Sequence, residues 1–251
     1  MECNRNENTP QCLKPGQNLF HAAADFFYFQ NRSYPRSAAL EWVGNRYRLP
    51  ALERQLLARG VFSQRDAVSR RTKRVMGTAW QREFLVVDGH NIQITVESHI
   101  ERRPLLRAND GAMRDLAGMS ARFRLSETTQ MAMDMIFRFF EEFRPEKVLF
   151  LFDAPMSRSG ELASLYRSRL KRANITGDAL AVPVPEREIP FDQAVVASSD
   201  HAVLDGAVKW IDLACLVVEY FCLPEIAADF SRLLLSRAAE EQLFPDNPSF
   251  G

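Results

Sequence analysis

Three carboxylates stand where apolar runs end. Phe84 to Val87 leads into Asp88-Gly89-His90-Asn91, Lys147 to Phe152 into Asp153, and Gln193 to Ala197 into Ser198-Ser199-Asp200. An apolar run closed by a turn signal is the pattern of a strand buried on both faces of a parallel sheet. In open α/β sheets, ligands bind just outside the carboxyl ends of such strands. If the three strands are neighbours, three like charges converge and each carboxyl is more stable neutral. A divalent cation removes that conflict, and oxygen ligands with waters suit magnesium or manganese. Such a centre could orient a water and stabilise charge on a phosphodiester in transit. The expectation is therefore a metal site and catalytic set on Asp88, Asp153 and Asp200. Asp205 is a fourth acid, weighed evenly against a solvated helix residue. Taken singly, each Asp is better explained as a turn former.

Other residues around these acids have the chemistry to assist. Asn91 could fix Asp88 or touch substrate, and Ser198 or Ser199 could hydrogen-bond the ligands. Asp153 is followed by Ala154-Pro155-Met156-Ser157-Arg158-Ser159-Gly160. This segment offers Ser157, Arg158 and Ser159 at a helix N-terminus, a setting that binds phosphate; a loop capped by Ser159 explains it equally well. Arg167 and Lys171 on the helix that follows are candidates for contacts to a substrate backbone. His90 and His201 adjoin the acids and read first as turn histidines; Glu127 reads as a first-turn acid favoured by the helix dipole. There is no Gly-x-Gly-x-x-Gly or Gly-Lys-Ser/Thr loop, no Asp-x-Asp at Asp88 and no Gly-x-Ser-x-Gly elbow. Dinucleotide, P-loop, haloacid-dehalogenase and α/β-hydrolase chemistries therefore lack their signatures.

The elements that must position these groups fall into an ordered pattern. Residues 1–16 are a polar lead expected to be disordered, 17–76 a helical module, 80–238 an α/β domain with a mainly parallel sheet, and 239–251 a tail. In the module, Leu19, Phe20, Ala23, Phe26, Phe27 and Phe29 recur at helical spacing, and Pro35 and Gly60 punctuate two further helices. Residues 63–76 carry Arg65, Arg70, Arg71, Lys73 and Arg74 against Asp66. That run reads as a solvated helix or, more sharply, as a phosphate-contacting patch. Ile92 to Ile100 alternates and predicts a second strand. Arg102 to Gly111 predicts a loop. Ser126 to Phe143 is the strongest helix, with Met131, Met135, Ile136, Phe139 and Phe140 as its apolar stripe. Further strands are expected at 179–184, 193–197 and 209–213, and helices at 160–174, 215–221 and 224–237.

Formal net charge is zero over 251 residues, so no global basic field advertises nucleic acid and any such surface must be local. The four cysteines have no metal-like spacing, and no apolar run is long enough to span a membrane. No signal peptide is visible, and a reducing, cytoplasmic setting is expected.

With these residues in place, Asp88-Gly89-His90-Asn91, Asp153 and Ser198-Ser199-Asp200 resemble the ordered acids of the PIN-like nuclease superfamily, especially its NYN branch. The resemblance covers about 82–215. It implies a Rossmann-like α/β/α sandwich and a metal-dependent ribonuclease site. The sequence departs from the NYN pattern at Ala202, where a further acid is common. A more specific resemblance spans nearly the whole chain. Asn31-Arg32-Ser33-Tyr34-Pro35, Trp42-Val43-Gly44-Asn45-Arg46-Tyr47 with Leu49, and Arg54 to Gly60 resemble the prokaryotic domain-of-unknown-function family 434, which is followed by family 5616. The resulting expectation is a magnesium- or manganese-dependent nuclease acting on RNA, with the helical module and the 65–74 segment presenting substrate. The alternatives are an inactive nucleic-acid-binding or regulatory protein on the same fold, whose module recruits a protein partner or a second copy, and a small-molecule phosphohydrolase.

Overall fold

The computed structural model describes residues 16–116 and 125–234. The polar lead and the tail fall outside them, apart from Gly16. The chain opens with four helices, α1 (Gln17–Asn31), α2 (Arg36–Arg46), α3 (Ala51–Gly60) and α4 (Gln64–Thr72), and a short 3-10 turn follows at Ala79–Arg82. Then come β1 (Phe84–Asp88), α5 (Gly89–Ile100), β2 (Leu105–Arg107), β3 (Met113–Asp115), α6 (Glu127–Glu142), β4 (Lys147–Asp153) and α7 (Ser159–Arg172). The chain continues through β5 (Gly177–Val182), α8 (Pro185–Glu188), β6 (Val195–Ala197), α9 (His201–Gly206), β7 (Lys209–Ile211), α10 (Leu213–Phe221) and β8 (Ile226–Asp229).

Five strands form one parallel sheet in the order β5-β4-β1-β6-β7. The protein is thus α/β, as the alternation of apolar runs and helical patterns predicts. Side chains alternate across the sheet. Leu85, Val87, Phe150, Phe152, Val195 and Ile211 face a thick layer built by α5, α6, α7 and α10. Val86, Leu151, Val196 and Trp210 face a thinner one that includes Val203 and Leu204 of α9 and Ile189. The ring N–H of Trp210 donates to the carbonyl of Arg70 at 2.6 Å, so α4 closes this second face.

A second sheet, β3-β2-β8, carries the N-terminal helices. Leu19, Phe26, Val43, Leu56 and Leu57 share a core with Leu106, Ala108, Ala228 and Phe230. The helical module has no closed core of its own; the small sheet completes it. Gly60 is required where it stands, because a Cβ there would lie 2.5 Å from the Phe230 ring. Gly44 likewise leaves room for the Arg54 guanidinium, which reaches the carbonyl of Leu49 and Asn45.

Two expected elements have the opposite type. Residues 92–100 are helical, not a strand. Ile92, Thr95, Val96 and His99 also fit i, i+3, i+4, i+7, and the Asp88 carboxylate accepts the Asn91 N–H and caps the helix, which decides between the two periods. Within 224–237, expected as a helix, Ile226–Asp229 pairs parallel with β2; residues 235–237 lie outside the described range. The expected loop 102–111 contains β2. On α6, Ser126 caps as predicted, but Met131 is exposed and the buried face runs through Ala132, Met133, Ile136, Phe137, Phe139 and Phe140.

The basic segment is neither a solvated helix nor a phosphate patch. Arg70 is buried and donates to Asp110 at 3.1 Å and to both oxygens of Asp205 at 2.7 and 3.0 Å. Arg114, also buried, grips both oxygens of Asp110 at 2.9 and 2.7 Å. Burial alone would raise Asp110, but Arg114, the Ala112 N–H and Arg70 hold it below the usual carboxylate range. Arg71 donates to the carbonyls of Asn109 and Ser231, Arg74 to that of Gly111, and Lys73 to that of Asp205. Arg71, Lys73 and Arg74 stay half-buried, and Arg65 is exposed, beside Asp66. Removing one partner of such a buried network leaves the others charged and unpaired, at about 3–5 kcal/mol. Asp110→Ala is expected to lower the thermal midpoint by about 10 °C, read by calorimetry. A midpoint within a degree or two of wild type would contradict this role.

Candidate functional site

The site grows out of β1. Leu85, Val86 and Val87 are wholly buried between β4 and β6, so the strand delivers Asp88 to the carboxyl edge of the sheet at its centre. Renumbered in chain order, the five strands run 3-2-1-4-5, and the order reverses between β1 and β6. Such a reversal marks the crevice in which doubly wound sheets bind ligands. Asp88 ends one wall and Ser198-Ser199-Asp200 continues the other.

Short hydrogen bonds tie the two walls together. The Ser198 hydroxyl donates to Asp88 Oδ2 at 2.9 Å and accepts the Asp200 N–H at 3.0 Å. Asn91 Oδ1 accepts both the N–H and the hydroxyl of Ser199, at 2.8 and 3.0 Å. Arg114 Nε donates to the Ser199 carbonyl at 2.6 Å, which fixes this loop to the buried ion network. Ser198, Ser199 and Asn91 thus stand beside Asp88, as the sequence predicts. Gly89 is needed for a reason other than a sharp turn. A Cβ there would meet the Phe152 ring at 2.4 Å.

His90 bridges to the neighbouring strand. Its Nδ1 accepts the Asp153 N–H at 3.0 Å, and its ring meets Phe152 edge-on. Burial lowers its pKa to about 4, so the imidazole is neutral and carries its proton on Nε2.

Asp88 is the perturbed group. Burial pushes its pKa up to about 7 against the hydrogen bonds from Ser198 and Asn91, and the charges of Asp200 and Glu186 push the same way. Asp153 is raised by its partial burial and again by Glu186. Glu186, on the short α8, is therefore an acid of this site that the sequence reading missed. It follows the predicted strand 179–184 by two residues but sits after Pro183 and Pro185 rather than at the strand's end, so only the chain's return to the sheet reveals it.

The other predicted residues are placed differently. Asp88 pairs with Leu151, so Asp153 projects two residues further along β4. Asp200 caps α9, its Oδ1 accepting the N–H groups of Ala202 and Val203. Asp205 is taken by Arg70 and stands outside the crevice. Arg158 pairs with Glu161 on the surface. Ser159 caps nothing; its hydroxyl donates back to the carbonyls of Asp153 and Met156. Arg167 donates to the Ala179 carbonyl and to Ser164. Ser157 and Lys171 are exposed. His201 stacks on Phe62 with centroids 5.7 Å apart. A fourth strand end, after β7, also carries an acid, but Asp212 is buried and its oxygens accept the N–H groups of Met113 and Cys215.

Among the described residues, no three of His, Cys, Asp and Glu are gathered as a closed metal centre. Asp88, Asp153 and Asp200 do not form the three-acid cage expected from the strand ends, because register carries Asp153 forward and capping engages Asp200. The donors that remain suit a more open site. Magnesium commonly takes one or two carboxylates and keeps its waters. Asp88, with Glu186 or Asp200 near enough to repel it, offers that set.

A half-buried carboxyl with a raised pKa makes its sign known in stability. The folded state holds its proton in the range between the ordinary carboxylate value and about 7, so the stability tied to Asp88 is fullest below that range. It is lost as pH rises toward about 7. Asp88→Asn removes the titration. It is expected to stabilise the protein by about 2 kcal/mol at pH 8 and by much less at pH 5, measured by urea unfolding in chelator. A pH-independent difference would contradict the raised pKa.

Comparisons with known proteins agree on kinship and carry no activity. Residues 18–73 match the model described as "Protein of unknown function (DUF434)". The chain is 27% identical over 201 residues to "Uncharacterized protein MJ0935" of Methanocaldococcus jannaschii, covering 79% of this chain and 96% of that one. No solved structure matches. The model described as "Domain of unknown function (DUF5616)" matches residues 56–215, more than half of the chain, and the chain belongs to that family.

Proposed function

We propose that the crevice between β1 and β6 is a magnesium- or manganese-dependent phosphodiester-cleaving site acting on RNA, on a PIN-like fold. The observation that carries the reading is Asp88: a carboxyl at the switch point of the sheet, with a pKa of about 7 and two further acids close enough to perturb it. Perturbed acids in a crevice are where catalysis concentrates. The strand order and the Asp-Gly-x-Asn opening support the PIN-like assignment.

Asp88 would hold the cation, with Glu186 or Asp200 as a second carboxylate. The cation would supply charge to the phosphoryl oxygens and acidify a bound water. Ser198 keeps the Asp88 carboxylate aimed across the crevice, and Asn91 with Ser199 holds the opposite wall at a fixed distance. The reaction adds water across the phosphodiester. The attacking oxygen bonds to phosphorus, one P–O bond breaks, and the released oxygen takes up a proton. Asp153 stands furthest out, where it meets the flanking part of a substrate.

A second reading, an RNA-binding protein without turnover, is favoured by one feature. Asp200 engages one oxygen in capping α9, and Ala202 supplies no replacement acid. Cleavage of single-stranded and structured RNA in manganese separates the two. Wild type is expected to cleave, Asp88→Asn to lose at least about 100-fold, and Glu186→Gln about 10-fold. Cleavage unchanged in Asp88→Asn would sink the nuclease reading, and tight RNA binding without cleavage would support the second.

A further inference from the structure

With the basic segment used inside the fold, a substrate strand needs another surface, and the helical module has one. Trp42 is 51% exposed and Tyr34 45%, whereas the other two tryptophans, Trp80 and Trp210, are buried. The rings of Phe29, Tyr34 and Trp42 pack edge to face. Their centroids are 5.2 Å (Phe29–Tyr34), 6.0 Å (Phe29–Trp42) and 6.1 Å (Tyr34–Trp42) apart. Edge-to-face packing holds each ring in one orientation while leaving ring faces open to water. A base that stacks there orders little side chain.

Arginines lie on the same helices. Arg36 opens α2 two residues after Tyr34, and its guanidinium lies over Phe26 and Phe62 at 5.1 and 4.8 Å. Its hydrogen bonds go to Gln30 Oε1 and the Ala58 carbonyl; among the described residues no carboxylate is within ion-pair distance of it. Phe62 also carries the guanidinium of Arg70 at 4.4 Å and of Arg114 at 4.9 Å. His201 stacks on the same ring and is bonded in sequence to Asp200. Contacts therefore run from Arg36 through Phe62 and His201 to the crevice wall, and Tyr34 precedes Arg36 by two residues. Across 17–60, six arginines (32, 36, 46, 48, 54 and 59) face three acids (Asp25, Glu41 and Glu53). This local surplus sits in a chain with no net charge. It favours a polyanion over a protein surface as the occupant.

We propose that Tyr34 and Trp42 form a stacking platform for the bases of single-stranded RNA, with Arg36 contacting the phosphate backbone between the platform and the crevice. The path of the strand toward Asp88 rests on the nuclease reading; the binding itself does not. Aromatic platforms bind single strands with little sequence preference and with marked salt dependence.

Trp42 is its own reporter, because the other two indoles are shielded. The full chain is titrated in chelator, so that no cleavage occurs, with oligouridine of about 12 nucleotides, following tryptophan fluorescence and anisotropy. Saturable quenching is expected. Trp42→Ala and Tyr34→Ala are each expected to weaken binding about 10-fold, with unchanged circular dichroism. Arg36→Gln should reduce the slope of log affinity against log salt by about 1. Quenching that is absent at saturation, or a Trp42→Ala variant that binds as wild type does, overturns the proposal. So does a dimer that dissociates on Trp42→Ala with no RNA bound, which would assign the patch to a second copy of the chain. Absence of cleavage in manganese with quenching intact would refute the nuclease reading and still support the platform.

Discussion

The buried carboxylate of Asp110 is the point on which the structure turns. It is fully enclosed and receives guanidinium protons from Arg70 on α4 and Arg114 on β3. A lone carboxylate in such a place would be costly, and so would either arginine. Together they satisfy one another and join three parts of the chain. Arg70 extends to Asp205 on α9, and Arg114 extends to the Ser199 carbonyl at the crevice wall. The N-terminal helices, the small sheet and the carboxyl edge of the large sheet are thus held in one register by charge and by the apolar core around Phe230.

That arrangement has a consequence for the site. The loop that bears Ser198 to Asp200 is pinned from two sides, by Asn91 from the α5 end and by Arg114 from the network. Asp88 is aimed by Ser198 and cannot turn away from its acidic neighbours. Its proton affinity is therefore a property of the frame and not of a mobile side chain. Register and capping explain why the acids are staggered instead of gathered. Asp153 lies past Asp88 along a longer strand, and Asp200 is half engaged by the helix it starts.

Much of this was legible in the residues, in a graded way. The β1, β4 and β6 strands and the acids that end them follow from apolar runs closed by turn chemistry, a signal local to a few positions. Asn91, Ser198 and Ser199 come with them because they occupy the same turns. Residues 92–100 were ambiguous, since their spacing fits both periods, and a cap four residues upstream settled the matter. The fate of Arg70 and Arg71 was not legible. Their partners lie 38 to 160 residues away, and a run of arginines looks alike whether its acids are in solution or in the core. Glu186 and the Tyr34–Trp42 pair were hidden for the same reason: no local pattern separates a surface residue from one the fold brings beside a crevice.

The placement of β8 bears on how the chain comes to be folded. It lies beside β2, its neighbour Phe230 fills the space above Gly60, and the Ser231 carbonyl accepts a hydrogen bond from Arg71. The helices of residues 17–60 thus wait for residues 226–231 before their apolar faces are covered. Contacts of such long sequence separation form late and slowly. During synthesis the helices at the front present Leu19, Phe26 and Leu57 without their cover, and this is the interval in which a chaperone would find a binding surface.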